Sequence, residues 1–432
     1  MDLPTLTRSL PDALATLDPA DAPVAYDALG LDRLTDHALV SACAAVIDRP
    51  KAAPPDSFVL HAPLELMARA GLLARVSPDG RDGARRRLVW LAATYAAAGP
   101  PALEPRVPSA ASSEDAAVLL AAAVAGGDLD AAGAAARALA GLVGTEDLVA
   151  ALVDVVAPSL AAAAHGGIYL HQLLSFAGAP AAPGVANMAR ELARHPDWAL
   201  SWFDDRPTPR VEPGGSPRSV DALVEALRRP PSPGPLDVNF IYPTMHLTES
   251  SGLALDVLGP ALAGVDRAAA SRALLRVAAL SMLQDDPAEA PYGWSHCLTM
   301  PHGLLSVTAL SARPDDVLAV AATYVLGFRA TQGTVDVDPH WAPAPPAVGW
   351  AEALDGAPDL AAAGAWHASV DDRPALAAVL VDRAAAHEDA HLAKYTLACL
   401  QLADTDPAFA YGYVAAAAFL GAWWRQADGA LN

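Results

Sequence analysis

The feature that most restricts how this chain can fold is alanine in helical register. Segments 83–98, 113–126, 129–143 and 146–177 are alanine-rich, place apolar residues at helical spacing, and are separated by short Gly, Asp and Pro turns. Runs of β-branched residues are few. Alanine loses no side-chain entropy on entering a helix, so the pattern predicts an all-α fold. With 53% hydrophobic residues in 432, the chain can bury a large core. The expectation is a single large multi-helix domain over 1–432 with Pro-rich loop excursions.

Finer boundaries follow from the breakers. Two or three short helices are expected in an N-terminal segment, 1–50, interrupted at Asp18-Pro19 and Asp48-Arg49-Pro50. A helix should start near Pro63 and run to about Arg75. Pro/Gly-rich stretches at 206–217 and 229–236 flank one helix at 218–228 and read as an excursion able to cover a cleft. Residues 237–248 read as a short extended piece and 332–350 as a loop. Further helices are expected at 264–284, 351–370, 374–401 and 407–427.

A formal net charge of −21 argues against nucleic acid and against an anionic membrane surface as partners. Cys43, Cys297 and Cys399 are too few and too scattered for a disulfide framework or a CxxC metal knuckle. The start, Met1-Asp2-Leu3-Pro4, lacks the basic and apolar regions of a signal peptide, and the most apolar run, Tyr413–Trp424, is too short to span a bilayer. A soluble, cytoplasmic monomer or homodimer is expected.

The chemistry concentrates around lysine and histidine. Of 28 basic residues only Lys51 and Lys394 are lysines. Lys394 sits in an apolar run, where an unpaired charge is costly. An amine, unlike a guanidinium, can lose its proton when buried and act as a base, a nucleophile or a modified ligand. His391 and Lys394 are i and i+3 on one helix face, and His387 and His391 are i and i+4, a spacing able to hold a metal. His61 is expected at or just before a helix N-terminus, which favours a neutral imidazole.

His165 follows Ala161–Ala164 and precedes Gly166 and Gly167, small residues that let other elements approach. His171 lies about 120° further round that helix. His296 and His302 repeat the spacing, but Pro301 should bend or restart their helix. Cys297 could be a soft ligand, although a lone helical cysteine is more often a small core residue. Trp294, Trp341 and Trp350 could line an aromatic pocket, and His246 is a further candidate without an assigned place. The chain contains no GxGxxG, P-loop, GxSxG or HExxH element.

Four elements together resemble the questin oxidase family. They are Leu60-His61-Ala62-Pro63 (NHGP-like in the family), His165-Gly166-Gly167-Ile168 (HGLIH), Ser295-His296-Cys297-Leu298-Thr299 (H-x-x-T) and Asp389-Ala390-His391-Leu392-Ala393-Lys394-Tyr395-Thr396 (D-x-H-x-x-K-x-T). The resemblance runs from about Ser57 to about Trp424, inside a region bounded at 57–427. It implies a helical, mononuclear non-haem Fe(II) oxygenase that uses O2 to cleave a ring carbon–carbon bond of a polycyclic, anthraquinone-type polyketide. Carried over, His61, His165, His296 and His391 become iron ligands, and Lys394 becomes a ligand once CO2 has converted it to a carbamate. His302, His171, His387 and Tyr169 become catalytic or supporting candidates. Tyr169 stands where the family has the second histidine of HGLIH, and Leu60 and Ala62 replace Asn and Gly, so the substrate is expected to differ. Two other readings stand beside this one: a metal-dependent hydrolase built on a carbamylated lysine, and a non-enzymatic helical ligand-binding protein.

Overall fold

Helix starts follow side-chain caps. Thr35, Asp56, Ser112, Asp128 and Asp266 each accept the backbone N–H three residues on, satisfying a donor that the first turn would otherwise leave without a partner. The computed structural model describes residues 3–54, 56–103, 110–203, 219–236 and 240–431. Among these it forms 21 α-helices and no strand, apart from an isolated bridge between Lys51 and Pro101. The all-α expectation holds. The stretch 206–217 and residues 237–239 lie outside the described residues. No described helix is long and apolar enough to cross a membrane.

Several boundaries differ from expectation. The Asp56 cap starts a helix at Ser57, so Ser57–Leu73 already encloses His61 and Pro63; His61 lies in its second turn rather than at its tip. Pro63 forfeits one backbone bond, that to Val59. The region 146–177 splits into Thr145–Val156 and Gly166–Ser175. Of residues 237–248, expected to be extended, 241–248 belong instead to the helix Ile241–Ser250, which packs on Pro314–Gln332. Pro358, at a first helical position, divides 351–370 into Trp350–Ala353 and Pro358–Trp366. Ser295–Val307 continues through Pro301 without a break, and a π-helical turn, Ala290–Trp294, precedes it.

The helices gather into two compact units, each built from three stretches of chain. The first comprises Met1–Ala162, Tyr169–Trp198 and Val381–Lys394; the second comprises Ala163–Ile168, Ala199–Leu380 and Tyr395–Asn432. In the first, Leu39, Ile47, Leu66, Leu72, Leu88 and Leu91 are buried. The interior Arg85 donates to the carbonyls of Leu31 and Leu34 at 2.6 and 2.8 Å. In the second, Ser295–Val307 packs on Pro314–Gln332, and Pro358–Trp366 packs on Ala410–Leu431. The buried pair Arg329–Asp285 is completed by Thr334, which donates to Asp285, and by the carbonyls of Arg228 and Val335. A buried ion pair supplied in this way leaves no charge stranded.

One contact in the second unit bears directly on the site. A Cβ at Gly303 would fall 2.6 Å from the carbonyl carbon of Gly167 and from the nitrogen of Ile168. A Cβ at Gly167 would fall 2.7 Å from Leu304 Cγ. The close approach expected of the glycines after His165 is therefore present, and Gly303 is its counterpart.

Candidate metal centre

His165 is presented by a left-handed turn. Ala162, Ala163 and Ala164 have φ of 52°, 50° and 55°, a conformation that costs an L-residue roughly 1–2 kcal/mol each. The turn aims the Ala163 carbonyl back at the ring, where it accepts from His165 Nδ1 at 2.7 Å. The His296 ring is held in the same way by the carbonyl of Tyr292, in the π-helical turn. A carbonyl can only accept, so both Nδ1 atoms carry the proton and both Nε2 atoms present a lone pair. These two Nε2 atoms lie 3.2 Å apart. Two facing lone pairs repel unless a cation stands between them. Two nitrogens bound to one ion at ~2.1 Å would be about 3.0 Å apart at a right angle and about 3.4 Å apart at the tetrahedral angle. The observed separation falls between these values.

In the first unit, His391 begins the helix Ala390–Thr405. Asp389 accepts both the backbone N–H of His391 at 2.6 Å and its Nδ1–H at 3.1 Å, one carboxylate oxygen starting the helix and orienting the ring. Burial and the nearby Lys394 charge lower the pKa of His391 against the opposing pull of Asp389, which keeps the imidazole in the neutral form that binds metals. The Asp389 carboxyl would be raised by burial, but hydrogen bonds and charge from His391 and Lys394 bring it below its ordinary range. His61 stands 4.7 Å from His391, ring to ring, with its Nδ1 3.3 Å from Ser57 Oγ.

Lys394 is buried, and its Nζ has no hydrogen-bond partner among the described residues. Burial pushes its pKa down to about 8, against the attraction of Asp389 and Glu65. No hydrogen-bonded pair with Asp389 or Glu388 forms.

A buried charged frame holds the turn in front of His391. Arg69, paired with Glu65 at 2.7 Å, donates to the carbonyls of Ala385 and His387, each at 2.7 Å; Arg87 donates to that of Glu388 at 2.5 Å. Sequence reasoning missed Glu65, Arg69 and Arg87. The signal for Glu65 and Arg69 was charge at i and i+4 inside the apolar run Leu64–Leu73; Arg87, on the helix Arg81–Ala97, gave none.

His61 and His391 in the first unit and His165 and His296 in the second make up a four-histidine cluster that could hold a metal ion. In each ring the Nδ1 faces an oxygen, the arrangement that fixes ligand histidines by a second layer of hydrogen bonds. His165, His296, His391 and Lys394 are 3, 6, 7 and 2% exposed, whereas His61 is partly exposed. The donor set fits a first-row transition metal without choosing one.

The other expected residues are not part of this cluster. Cys297 is fully buried, its thiol pushed up to about 12 by that burial, in keeping with the core reading of a lone helical cysteine. His302 is buried about a third of a turn round from His296 on the same helix. His171 is half-buried on Gly166–Ser175. His387 does not share a helix with His391, because Arg373–Ala386 ends before it; its Nδ1 accepts the N–H of Asp389 at 2.9 Å. Tyr169 is buried, with no hydrogen-bond partner for its hydroxyl among the described residues.

Trp294 is a core residue donating to the Asp286 carbonyl at 3.1 Å. Trp341 lines a cavity of about 680 Å³ in the second unit, none of whose wall residues is a candidate ligand. Trp350 opens a short helix away from that wall. His246 is exposed and stacked on Tyr242. No family model matches this chain, and no curated protein or solved structure is significantly similar to it.

Asp389→Ala is expected to weaken metal binding about 10–100-fold, the usual effect of removing a carboxylate that orients a ligand histidine. Asp389→Asn, which keeps an acceptor oxygen at the start of the helix, should lose less. Competition against a chromogenic chelator measures both; equal affinity in wild type and Asp389→Ala would remove Asp389 from the centre.

Proposed function

We propose that this chain is a mononuclear non-haem iron oxygenase of the questin oxidase type, opening a ring carbon–carbon bond of a polycyclic aromatic polyketide with dioxygen. The observation that carries the reading is the pair of Nδ1-locked imidazoles of His165 and His296, with their Nε2 atoms 3.2 Å apart. The buried amine of Lys394, three residues after His391, adds to it. With His61, these residues fall in the four motif elements on which the resemblance rests.

In this reading His61, His165, His296 and His391 hold the iron through Nε2 as neutral ligands. The iron, when bound, supplies the redox chemistry with dioxygen that no side chain here can supply. Lys394 contributes through its free amine. Its lone pair forms a C–N bond to CO2 and one N–H proton leaves to solvent, converting a neutral group into an anionic oxygen donor. Asp389 and the carbonyls of Ala163 and Tyr292 keep the protons on Nδ1, so that each ring turns its lone pair inward. The buried ligands exclude water, and the partly exposed His61 marks the side from which a substrate reaches the centre.

Elemental analysis and oxygen uptake test the proposal. Anaerobically purified protein is expected to carry about one iron per chain and to consume oxygen when given a hydroxylated anthraquinone. His296→Ala should lose both. Iron-free wild type that still folds, or uptake unaffected by His296→Ala, rejects the reading. Zinc at about two per chain would replace it with the hydrolase.

A further inference from the structure

We infer that the second unit carries a binding site for a planar aromatic anion, made of residues that take no part in the four-histidine cluster. The site is the cavity of about 680 Å³, well within the size of small-molecule pockets. Its wall includes Trp341, Trp366, Phe409 and Tyr411. Trp366 is the hub: its ring meets those of Tyr411, Trp341 and Phe409 at centroid distances of 4.5, 5.5 and 6.1 Å, each edge to face. Rings locked edge to face offer flat surfaces on which a further flat ring can stack.

Charge selects the sign of the ligand. The wall includes Arg272 and Arg276 and contains no Asp or Glu, in a chain where acids outnumber bases 49 to 28. The two arginines are one turn apart on the helix Arg267–Gln284. Arg276 is committed: it binds both carboxylate oxygens of Asp406 at 2.7 and 2.6 Å and lies over the Phe409 ring. Arg272 is exposed and makes no hydrogen bond or ion pair among the described residues. Asp406 is hydrogen-bonded to Arg276 and is also drawn by the charge of Arg272, so one carboxylate faces two guanidinium groups and the donors of Arg272 are left to meet a ligand. A guanidinium fork matches a carboxylate or sulfonate in shape as well as charge. A protein with this net charge repels anions at long range, so binding one requires local positive charge of this kind.

The probe for the test is 2-naphthoate, a planar aromatic anion that is not an anthraquinone, with 2-naphthamide as its uncharged carboxamide counterpart. Tryptophan fluorescence titration is run on the full-length wild type, Arg272→Gln and His296→Ala. Wild type should bind the carboxylate saturably at one site, and the carboxamide about tenfold more weakly, the loss expected for one charge-assisted hydrogen-bonded contact. Arg272→Gln should weaken the carboxylate by a similar factor, and His296→Ala should bind it as wild type does. Equal affinity of wild type for the two probes, equal affinity of wild type and Arg272→Gln for the carboxylate, or loss of binding in His296→Ala would each overturn the proposal. The comparison of two probes on wild type decides the matter even if the variant fails to fold. Failure of the iron reading leaves this site untouched, because no candidate metal ligand lines it.

Discussion

Lys394→Met is expected to lose bound metal by more than tenfold while melting at or above the temperature of the wild-type apoprotein. The two effects separate because they have different physical origins. The wild-type amine is buried without a hydrogen bond, so carrying its charge costs several kcal/mol of solvation, which is why its pKa falls to about 8. Methionine is unbranched, similar in length and uncharged, and should pack there without that cost. It cannot take up CO2, so a metal that depends on a carbamate is left short of a donor. Lys394→Arg removes the same chemistry but buries a charge that cannot be neutralised, and should lose both metal and stability. Calorimetry on the apoproteins and metal titration on all three chains separate the cases. Wild-type metal affinity in Lys394→Met would show that Lys394 is not a ligand.

Gly303→Ala should destabilise the protein by ~3 kcal/mol or more, at the upper end of overpacking costs. The added methyl would meet backbone atoms of Gly167 and Ile168 at 2.6 Å, and backbone cannot swing aside as a side chain can. The helix carrying His296 and the turn carrying His165 would have to separate, so metal binding should fall together with stability. Gly167→Ala meets chiefly the flexible end of Leu304 and should cost less. Denaturant unfolding followed by circular dichroism ranks the two; a Gly303→Ala protein as stable as wild type would mean that the helices do not approach as described.

The helical class was legible because alanine in register says little else. The four histidines were legible as well, each through an unusual neighbour: Pro63 beside His61, the Ala and Gly runs around His165, the Pro301 stretch after His296, and Lys394 after His391. What escaped was whatever depends on a distant partner. The break between Ala386 and Ala390 looks like continuous helix, because His387, Glu388 and Asp389 all tolerate one. It opens because Arg69 and Arg87 take the carbonyls of Ala385, His387 and Glu388, and no local pattern reports that. The turn before His165 escaped for a sharper reason: four alanines in a row predict a right-handed helix, and three of them are left-handed.

That inversion changes what substitutions in the alanine stretch would do. Along Leu129–Leu142 or Ala410–Leu431 an alanine is limited by space, since Ala132, Ala136, Ala415 and Ala416 are fully buried, but its backbone accepts any L-residue except proline. At Ala162, Ala163 and Ala164 the positive φ excludes β-branched and bulky side chains, and only Gly, Asn or Asp would ease the backbone. A segment that resembles low-complexity filler is thus constrained by its backbone, and a library randomised across it should return chiefly Gly, Asn and Asp, whereas the packed helices select for small size.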